Sequence, residues 1–399
     1  MLIDKCRYCA SKLQMVFSLG KMPIVNYFPT LKDLKKEKKY PLELMICKSC
    51  NLMQTSYDIS PDKLFRRAHY ISGASEPLVK HLEVLAQSCI KTYKLAKGSK
   101  ILDIGSNDGS FLKSFKGKGM ICLGVEPSIN AVKLSKKNKI KAINKLFTKK
   151  LATSIKKKYG VFDLISCTHT LANIINLKDF LTGVKLLLKD TGVFTLEVGS
   201  GYDMIKSGFF DAIYHEHFYY FTSYTLGRLM DDAGLFIEKI EKNSFHGASI
   251  RAYIRKKRVG DIPLKFGQEK LSVRQLAKFK SSVMKFKKGI NALLDRCKTK
   301  KIIGFGAPAK GVILLNFLKL GPDRIDFVVD STTFKQGRYV PGAHIPIYAE
   351  DRLTAEHPNV VFILAWNFTE AIVKKVEQMT NRQVKLLLPF PRLQFKTYH

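Results

Sequence analysis

The 399-residue sequence predicts an α/β protein whose parallel sheets carry helices on both faces. Short apolar runs alternate with helix-like segments through most of the chain, as in successive βαβ units. Two of those runs lead into glycine-rich turns, Asp103–Gly109 and Gly304–Gly311. The first 60 or so residues differ, because they contain two Cys-x-x-Cys pairs and a Lys-rich stretch. We therefore expect an N-terminal domain followed by two α/β units.

Composition limits the classes of function. The length and the 46% apolar content suffice for two to three domains with cores. No apolar run is long enough to cross a bilayer, and the N-terminus lacks the pattern of a signal peptide, so we expect a cytoplasmic protein without membrane attachment. The formal net charge of +35 fits either a nucleic-acid partner or a Lys-rich solvated surface. Since the lysines are spread along the whole chain, we predict the solvated surface and no nucleic-acid partner.

The N-terminal cysteines have the spacing of a metal site. Cys6 and Cys9 form one pair, and Cys47 and Cys50 form the other. Each pair can supply two corners of a tetrahedron, so the two together predict a closed four-sulfur zinc site with a structural role. The intervening stretch must then carry strands or loops of its own. The alternative is two unrelated pairs of reduced thiols. The remaining cysteines are expected to be buried, inert thiols: Cys89, Cys122, Cys167 and Cys297.

The first α/β unit begins with apolar residues at helical spacing between Ile71 and Ala96. A helix opened by Phe111, Leu112 and Phe115 follows the first glycine-rich turn. The strands predicted for this unit are Lys100–Gly105, Ile121–Glu126, Phe162–Cys167 and Gly192–Val198, with closing strands Leu235–Ile240 and Ser249–Arg255.

The C-terminal third predicts a second, smaller α/β unit. A Lys-rich helical segment from Leu264 to Cys297 precedes it. A strand, turn and helix then begin at Lys301, and further strands are predicted over Ile325–Asp330 and Asn359–Ala365.

The turn Asp103–Gly109 has the features of a nucleoside site. Its glycines let the backbone turn sharply and approach a ligand closely. Glu126, at the end of the next strand, is placed to bind the two hydroxyls of a ribose. A dinucleotide or S-adenosylmethionine would suit this layout, and a plain strand–helix turn is the alternative. Because Asp103 and Asp108 would repel a pyrophosphate, the sequence favours S-adenosylmethionine. In the second turn Lys310 is placed to reach a diphosphate, although a simple turn fits equally well.

The segment Tyr214-His-Glu-His217 concentrates groups that transfer protons. Two imidazoles flank one carboxylate, and imidazoles titrate near neutral pH. Neighbouring residues of an extended loop point in different directions, which disfavours a shared metal ion. The aromatic residues that follow, Phe218 to Tyr220, are expected to pack as core.

Four stretches together resemble a known family. They are the paired Cys-x-x-Cys, DIGSNDGSFL, YHEHFYYF, and the C-terminal GFGAPAKGVILLNF with KQGRYVPGAHIPI and Trp366-Asn367. The chain resembles the S-adenosylmethionine-dependent C-methyltransferases of nucleotide-linked 4-keto-deoxysugars, of the C3 type. The resemblance implies a zinc-binding domain over 1–66, a class I methyltransferase domain over 67–258, and a Rossmann-like nucleotide-sugar-binding domain over 259–399. It also implies a sugar in the cleft between the last two domains, and we expect a monomer.

The resemblance also implies roles for individual residues. His217 would remove a proton next to the ketone, with His215 as its competitor, Tyr214 as donor to the enolate oxygen, and Glu216 orienting an imidazole or a sugar hydroxyl. The cofactor would contact Asp103, Gly105, Ser106, Asn107, Gly109, Glu126 and Pro127. The substrate would contact Tyr70, His169, Asn173, Lys310, Lys335, Arg338, His344 and Trp366.

Two departures separate this sequence from the family pattern. The family has Asn-x-x-x-His after the strand that ends near Cys167, whereas here His169 precedes Asn173. Tyr70 is the one aromatic residue where two are usual. The sequence therefore leaves the sugar, and methylation at C3 or C5, open. An RNA methyltransferase and a non-catalytic nucleotide-sugar binder are the competing functions.

Overall fold

The computed structural model describes residues 2–66, 70–257, 269–297, 300–380 and 383–398. The predicted helical positions 264–268 and the predicted domain boundary at 258/259 lie outside these residues. The strands are β1 Leu13–Met22, β2 Tyr40–Cys47, β3 Met53–Thr55, β4 Lys100–Ile104, β5 Ile121–Val125, β6 Ala142–Ile143, β7 Phe162–Thr168, β8 Leu188–Gly199, β9 Tyr219–Tyr220, β10 Phe236–Asn243, β11 Ser249–Arg255, β12 Ile302–Phe305, β13 Phe327–Val329, β14 Ile347–Tyr348, β15 Val360–Ile363, β16 Val384–Leu388 and β17 Gln394–Tyr398.

The α-helices are α1 Pro61–Phe65, α2 Glu76–Thr92, α3 Ser110–Lys116, α4 Ile129–Lys137, α5 Lys149–Tyr159, α6 Leu177–Leu187, α7 Gly201–Ser207, α8 Ser223–Asp232, α9 Val273–Asp295, α10 Ala309–Leu318, α11 Arg352–Glu356 and α12 Thr369–Met379. In the part of the chain that is described, no helix combines the length and the apolar character needed to cross a membrane.

The N-terminal sheet has the order β1-β2-β3-β9 and is antiparallel. Its strands confirm that the stretch between the cysteine pairs carries structure of its own. Strand β9 comes from far along the chain and pairs with β3 at Met53 and Tyr220. The segment that contains His217 is therefore tied directly to the N-terminal sheet.

The central sheet has the order β10-β11-β8-β7-β4-β5-β6. Strands β6, β5, β4, β7 and β8 run parallel, and the hairpin β10–β11 closes one edge antiparallel. From β4 the chain passes outward to β5 and β6, then returns to β7 and β8 on the other side. Such a reversal of strand order creates a crevice at the carboxyl ends of the strands, where ligands bind.

The C-terminal sheet has the order β14-β13-β12-β15-β16-β17, with the last strand antiparallel. The predicted strand Ile325–Asp330 is shorter in the structure, since only Phe327–Val329 pairs. Asp330 instead turns its carboxylate onto the loop after β12, where it accepts a hydrogen bond from the N–H of Ala307 at 2.7 Å.

Two predicted elements have different ends. Helix α2 starts at Glu76 rather than near Ile71, because Pro77 occupies its first turn and Ser75 has extended backbone. Strand β8 starts at Leu188, earlier than the predicted Gly192, because Leu188 already pairs with Phe162. The prediction that the aromatic residues after His217 pack as core is confirmed, since Phe218, Tyr219 and Tyr220 are at most 5% exposed.

Candidate active site

A cavity opens at the carboxyl ends of β4, β5 and β7, where the reversal of strand order predicts a ligand site. Among the residues predicted for the cofactor and the substrate, those that line it are Asp103, Gly105, Ser106, Asn107, Glu126, Pro127, Tyr70, His169 and Asn173. Sequence reasoning did not assign several further lining residues to the site: Phe65, Ser110, Phe111, Leu146, Phe147, Thr168, Thr170 and Ile174.

The glycine-rich loop after β4 forms the floor of the cavity. Gly105 has φ +80°, and a Cβ there would lie 2.1 Å from the Oγ1 atom of Thr170. Only glycine fits this position, both in conformation and in space. Gly109, by contrast, is not among the lining residues. It precedes α3 as the N-cap, and a Cβ there would meet Ile140 at 2.9 Å.

The Glu126 carboxylate is held at the cavity wall by two backbone N–H groups. Asn107 donates to Oε2 at 3.0 Å, and Ser128 donates to Oε1 at 2.7 Å. The Asn107 side chain in turn holds the segment from Tyr70 to Ser72 over the cavity. Its amide donates to the Tyr70 carbonyl at 3.0 Å and accepts from the Ser72 N–H at 2.9 Å. The loop thus places a carboxylate at the end of β5, as a ribose site requires.

Three buried polar atoms around the cavity have no hydrogen-bond partner among the described residues: Ser106 Oγ, Thr168 Oγ1 and Asn173 Oδ1. Buried polar atoms are normally satisfied, so an unpartnered set around one cavity indicates a polar ligand. The acids Asp103 and Glu126 lie in the same wall and suit a ligand that carries positive charge and ribose hydroxyls. These residues fit S-adenosylmethionine.

The pH dependence of cofactor binding tests the role of Asp103. Burial raises the pKa of this carboxyl to about 7, although Ser166 donates a hydrogen bond to it and acts in the opposite direction. Below that pH the group is neutral and attracts a cation less. The dissociation constant of S-adenosylmethionine is therefore expected to rise up to about tenfold for each pH unit below 7.

Calorimetric titration between pH 5.5 and 8 measures this slope, and Asp103→Asn is the matched control that should reduce it. Glu126 shares the wall, and burial raises its pKa too, so part of the slope should survive in the control. Equal slopes in the wild type and in Asp103→Asn would contradict the assignment.

The proton-transfer segment places His217 and Tyr214 side by side. Their ring centroids are 4.0 Å apart, and the backbone N–H of His217 donates to the backbone carbonyl of Tyr214 at 3.0 Å. Burial, and then the charges of His169 and Lys310, lower the pKa of the His217 imidazole to about 3. The ring is therefore neutral at physiological pH, with a free lone pair on one nitrogen, although its basicity is lower than that of an ordinary imidazole.

His215 and Glu216 point towards the N-terminal domain instead. His215 is 1% exposed, and its Nε2 lies 3.1 Å from the carbonyl oxygen of Pro41. The Glu216 carboxylate accepts a hydrogen bond from the Asn26 amide at 3.2 Å, and its other oxygen is buried without a partner. Burial raises the pKa of Glu216 to about 7.

A buried hydrogen bond joins the segment before His217 to the C-terminal unit. The Trp366 indole N–H donates to the Asp211 carboxylate at 2.6 Å. Burial raises the pKa of Asp211 to about 6, against the charge of Lys310 and the bond from Trp366. The Lys310 ammonium donates to the carbonyl of His246 at 2.7 Å and lies 4.4 Å from the Trp366 ring centroid. Lys310 and Trp366 thus lie together beside His246. Lys310 does not lie in an open loop of the kind that binds a diphosphate.

The other three predicted substrate residues lie elsewhere. Lys335 donates to the Asp330 carboxylate and to the Ala307 carbonyl, both at 3.0 Å. Arg338 donates to the Phe28 carbonyl at 3.1 Å, and His344 lies 2.8 Å from the Glu37 carboxylate. The structure therefore does not bring Lys335, Arg338 and His344 to the cavity, and the last two join the C-terminal unit to the N-terminal domain.

Sequence reasoning missed the acid at the centre of the next network. Glu197 on β8 is fully buried and lies within hydrogen-bond distance of His81, His169 and Arg251. Burial alone would raise the pKa of this carboxyl, but hydrogen bonds from the two histidines and the charge of Arg251 outweigh it and lower the pKa far below its ordinary value. Its sequence context, an apolar strand, gave no signal of this role.

The four N-terminal cysteines converge as predicted. Cys6 Sγ lies 3.7 Å from Cys50 Sγ, Cys9 Sγ lies 3.4 Å from Cys47 Sγ, and all four sulfurs lie within 4.8 Å of one another. Sulfurs at the corners of a zinc tetrahedron are about 3.8 Å apart, so the set fits zinc. Each pair is followed by a residue in the left-handed region, Ala10 with φ 61° and Asn51 with φ 61°. These turns return the chain so that both cysteines of a pair face one point.

Three family models match the chain. A zinc-binding domain matches residues 6–65, a methyltransferase domain matches residues 78–240, and a C-methyltransferase C-terminal domain matches residues 244–391. The three matched domains follow one another along the chain in the same order as the three sheets.

Individual proteins are similar as well. The C-methyltransferase NovU of Streptomyces niveus is 28% identical over 98% of this chain and 96% of its own length. A TehB-like SAM-dependent methyltransferase from Corynebacterium glutamicum is 15% identical, with 43% of this chain and 88% of that chain covered and a TM-score of 0.33. Magnesium protoporphyrin IX methyltransferase of Synechocystis is 13% identical, with 44% and 79% covered and a TM-score of 0.33.

Proposed function

We propose, from the premise that this chain belongs to the S-adenosylmethionine-dependent C-methyltransferases, that it methylates a nucleotide-linked 4-keto-6-deoxyhexose. The carbon that receives the methyl group would be C3. The observation that carries the proposal is the pair His217 and Tyr214, because each is within electrostatic range of a residue that lines the cofactor cavity, His217 of His169 and Tyr214 of Tyr70. A proton acceptor and a methyl donor would thereby face the same substrate.

The residues around the cavity account for the cofactor. Glu126 would bind the ribose hydroxyls, and the turn at Gly105 lets the backbone approach the ligand. Asp103 and the unpartnered Ser106 hydroxyl would contact its polar and charged groups. When bound, S-adenosylmethionine supplies an electrophilic methyl group. Zinc at the four cysteines has no open coordination position and serves the fold.

The reaction requires a carbon nucleophile, which the protein must generate. A carbon next to a ketone becomes nucleophilic once its proton is lost, because the charge moves onto the ketone oxygen. His217, neutral at physiological pH, would accept that proton, and the Tyr214 hydroxyl would donate a hydrogen bond to the oxygen. Burial raises the pKa of Tyr214 well above its ordinary value, so it stays protonated and able to donate.

The sugar would lie between the central sheet and the C-terminal unit. There His169, His246 and Lys310 come together, with the His169 and His246 ring centroids 4.8 Å apart. The nucleotide would extend over the C-terminal unit. Four cysteines kept reduced for a metal are typical of a reducing compartment, which supports a cytoplasmic enzyme.

Methyl transfer from labelled S-adenosylmethionine tests the proposal. The protein is incubated with a nucleotide-linked 4-keto-6-deoxyhexose and, separately, with total RNA. Label in the sugar, with the new methyl group at C3 by NMR, is the expected result. Label in RNA alone would favour an RNA methyltransferase, which the net charge of +35 would also suit. Binding of the nucleotide-sugar without any transfer would favour a non-catalytic binder.

A further inference from the structure

The carboxylate of Glu197 contacts His169, which lines the cofactor cavity, and the mechanism above does not use it. It is 0% exposed, on β8, an interior strand of the central sheet. Its Oε1 lies 2.6 Å from His81 Nε2 and 3.0 Å from His169 Nε2. Its Oε2 accepts from Arg251 Nε at 2.6 Å. A buried charge with this many partners fixes the geometry of the groups around it.

His169 is attached to Glu197 twice. Besides the contact of its ring, its backbone N–H donates to the Glu197 carbonyl at 2.7 Å. The attachment follows from the sheet, because β7 pairs with β8 at Thr168 and Glu197, and His169 is the next residue. Its backbone has φ 52°, an unfavourable conformation for a residue with a side chain. Strain of this kind persists where the surrounding structure holds it, and it is concentrated at functional sites.

The ring of His169 has one nitrogen to offer a ligand. Nε2 is engaged by Glu197, whereas the hydrogen bonds of the described residues include none to Nδ1. The side chain keeps 21% exposure and lines the cofactor cavity. The ring also lies 4.8 Å from that of His246, beside Lys310 and Trp366. Nδ1 is therefore the atom that a substrate between cofactor and C-terminal unit can reach.

We infer that Glu197 is a positioning residue of the methyl transfer, which holds the His169 ring by Nε2 so that Nδ1 contacts an oxygen of the reacting sugar. The inference rests on the proposed function. His81 and Arg251 have a supporting role, since they hold the carboxylate from α2 and β11.

A metal site is the alternative interpretation of His81, His169 and Glu197, since their ligand atoms lie within 4.8 Å of one another. The charge distribution argues against it. The Arg251 guanidinium lies 2.6 Å from the carboxylate and 3.3 Å from His81 Nε2, so a cation already occupies the position next to the ligand atoms. A second cation there would be repelled.

Glu197→Gln tests the inference, because the amide keeps the size of the side chain and loses its charge. We expect kcat for sugar methylation to fall at least about tenfold, as for other partners that orient a functional histidine. The dissociation constant of S-adenosylmethionine should stay close to that of the wild type. Glu238→Gln is the matched control, because Glu238 also pairs with an arginine, Arg255, but contacts no imidazole in the described structure. The Glu238→Gln enzyme should transfer methyl groups to the sugar at the wild-type rate.

NMR of the wild type gives a readout that needs no variant. With ¹⁵N-labelled histidine, the proton of His169 is expected on Nε2, and the Nδ1 signal should shift when the nucleotide-sugar is added. An Nδ1 signal unmoved by the sugar would overturn the inference, as would a Glu197→Gln enzyme with unchanged kcat and KM. If Glu197→Gln fails to fold, His169→Gln replaces it, since Glu197 then keeps its bonds to His81 and Arg251.

Metal analysis separates the two interpretations of the cluster. One equivalent of zinc per chain supports the inference, whereas a second equivalent that disappears in Glu197→Gln would overturn it in favour of a metal site. A wild type that transfers no methyl group to the sugar refutes the proposed function. Wild-type transfer with an unaffected Glu197→Gln refutes only the role of Glu197.

Discussion

Replacing His217 by alanine is expected to lower kcat for sugar methylation by about 10²- to 10⁴-fold, the usual contribution of a general base. The dissociation constant of S-adenosylmethionine should be unchanged, because His217 is not among the residues that line the cofactor cavity. Single-turnover transfer of labelled methyl and calorimetric titration of the cofactor measure the two quantities separately.

The matched control is His357→Ala, which removes an exposed imidazole at the end of α11. It should leave both quantities as they are. Near-normal turnover in His217→Ala would exclude His217 as the base and would direct attention to the other imidazoles of the site. Tyr214→Phe tests the proposed hydrogen-bond donor separately, because the ring stays against position 217 while the hydroxyl group is lost.

The pH profile of the wild type carries further information about His217. A base is active in its neutral form, so activity is lost below its pKa. Because burial and the charges of His169 and Lys310 lower that pKa to about 3, protonation of His217 should not reduce the rate near 6.5, the ordinary value for histidine. A loss of rate around pH 7 should instead follow the two carboxyls whose pKa burial raises to about 7, Asp103 and Glu216, and Asp103→Asn should remove the part that comes from cofactor binding.

Local patterns in the sequence predicted the features that depend on local structure. The central sheet, the loop at Gly105 and the acid Glu126 follow from apolar runs that end in glycine and carboxylate. The four cysteines follow from their spacing alone. The loop and Glu126 are brought together by a regular βαβ unit, and the two cysteines of each pair are close in the chain.

Contacts between distant segments were not predictable. The pairing of β9 with β3 joins residues far apart in sequence, and two aromatic residues carry no signal of a partner strand. Likewise, the family resemblance implied that Arg338 and His344 contact the substrate. In the structure they contact the Phe28 carbonyl and the Glu37 carboxylate of the N-terminal domain, since the loop that carries them packs there.

Buried polar partners were the other omission. Asp211 lies three residues before the segment Tyr214–His217, yet its bond to Trp366 depends on how the C-terminal unit meets this part of the chain. Glu197 lies in a strand whose neighbours are apolar, so its burial beside two histidines follows from the order of β7, β8 and β11. The sequence predicted the class of fold, a parallel sheet with helices on both faces, but it did not predict the order of the individual strands.

Cys47→Ser is expected to abolish stoichiometric zinc binding and, with it, the folded N-terminal sheet. Structural zinc contributes about 10–16 kcal/mol in zinc-finger peptides, which is as large as the whole stability of an ordinary domain, about 5–15 kcal/mol. Cys47 ends β2 directly, so loss of the metal removes the constraint on the central strand of that sheet. Metal analysis and thermal unfolding should therefore give less than one equivalent of zinc and a lower Tm.

The control is Cys122→Ser, which changes a half-buried thiol outside the cluster and should keep one equivalent of zinc. The loss of zinc should also reach the active site. Strand β9 begins two residues after His217 and pairs with β3, and Asn26 of the N-terminal domain donates to Glu216. Cys47→Ser protein that is still soluble should thus bind S-adenosylmethionine but transfer its methyl group slowly. Full transfer activity in zinc-free protein would refute this coupling, because the segment around His217 would then hold its geometry without the N-terminal sheet.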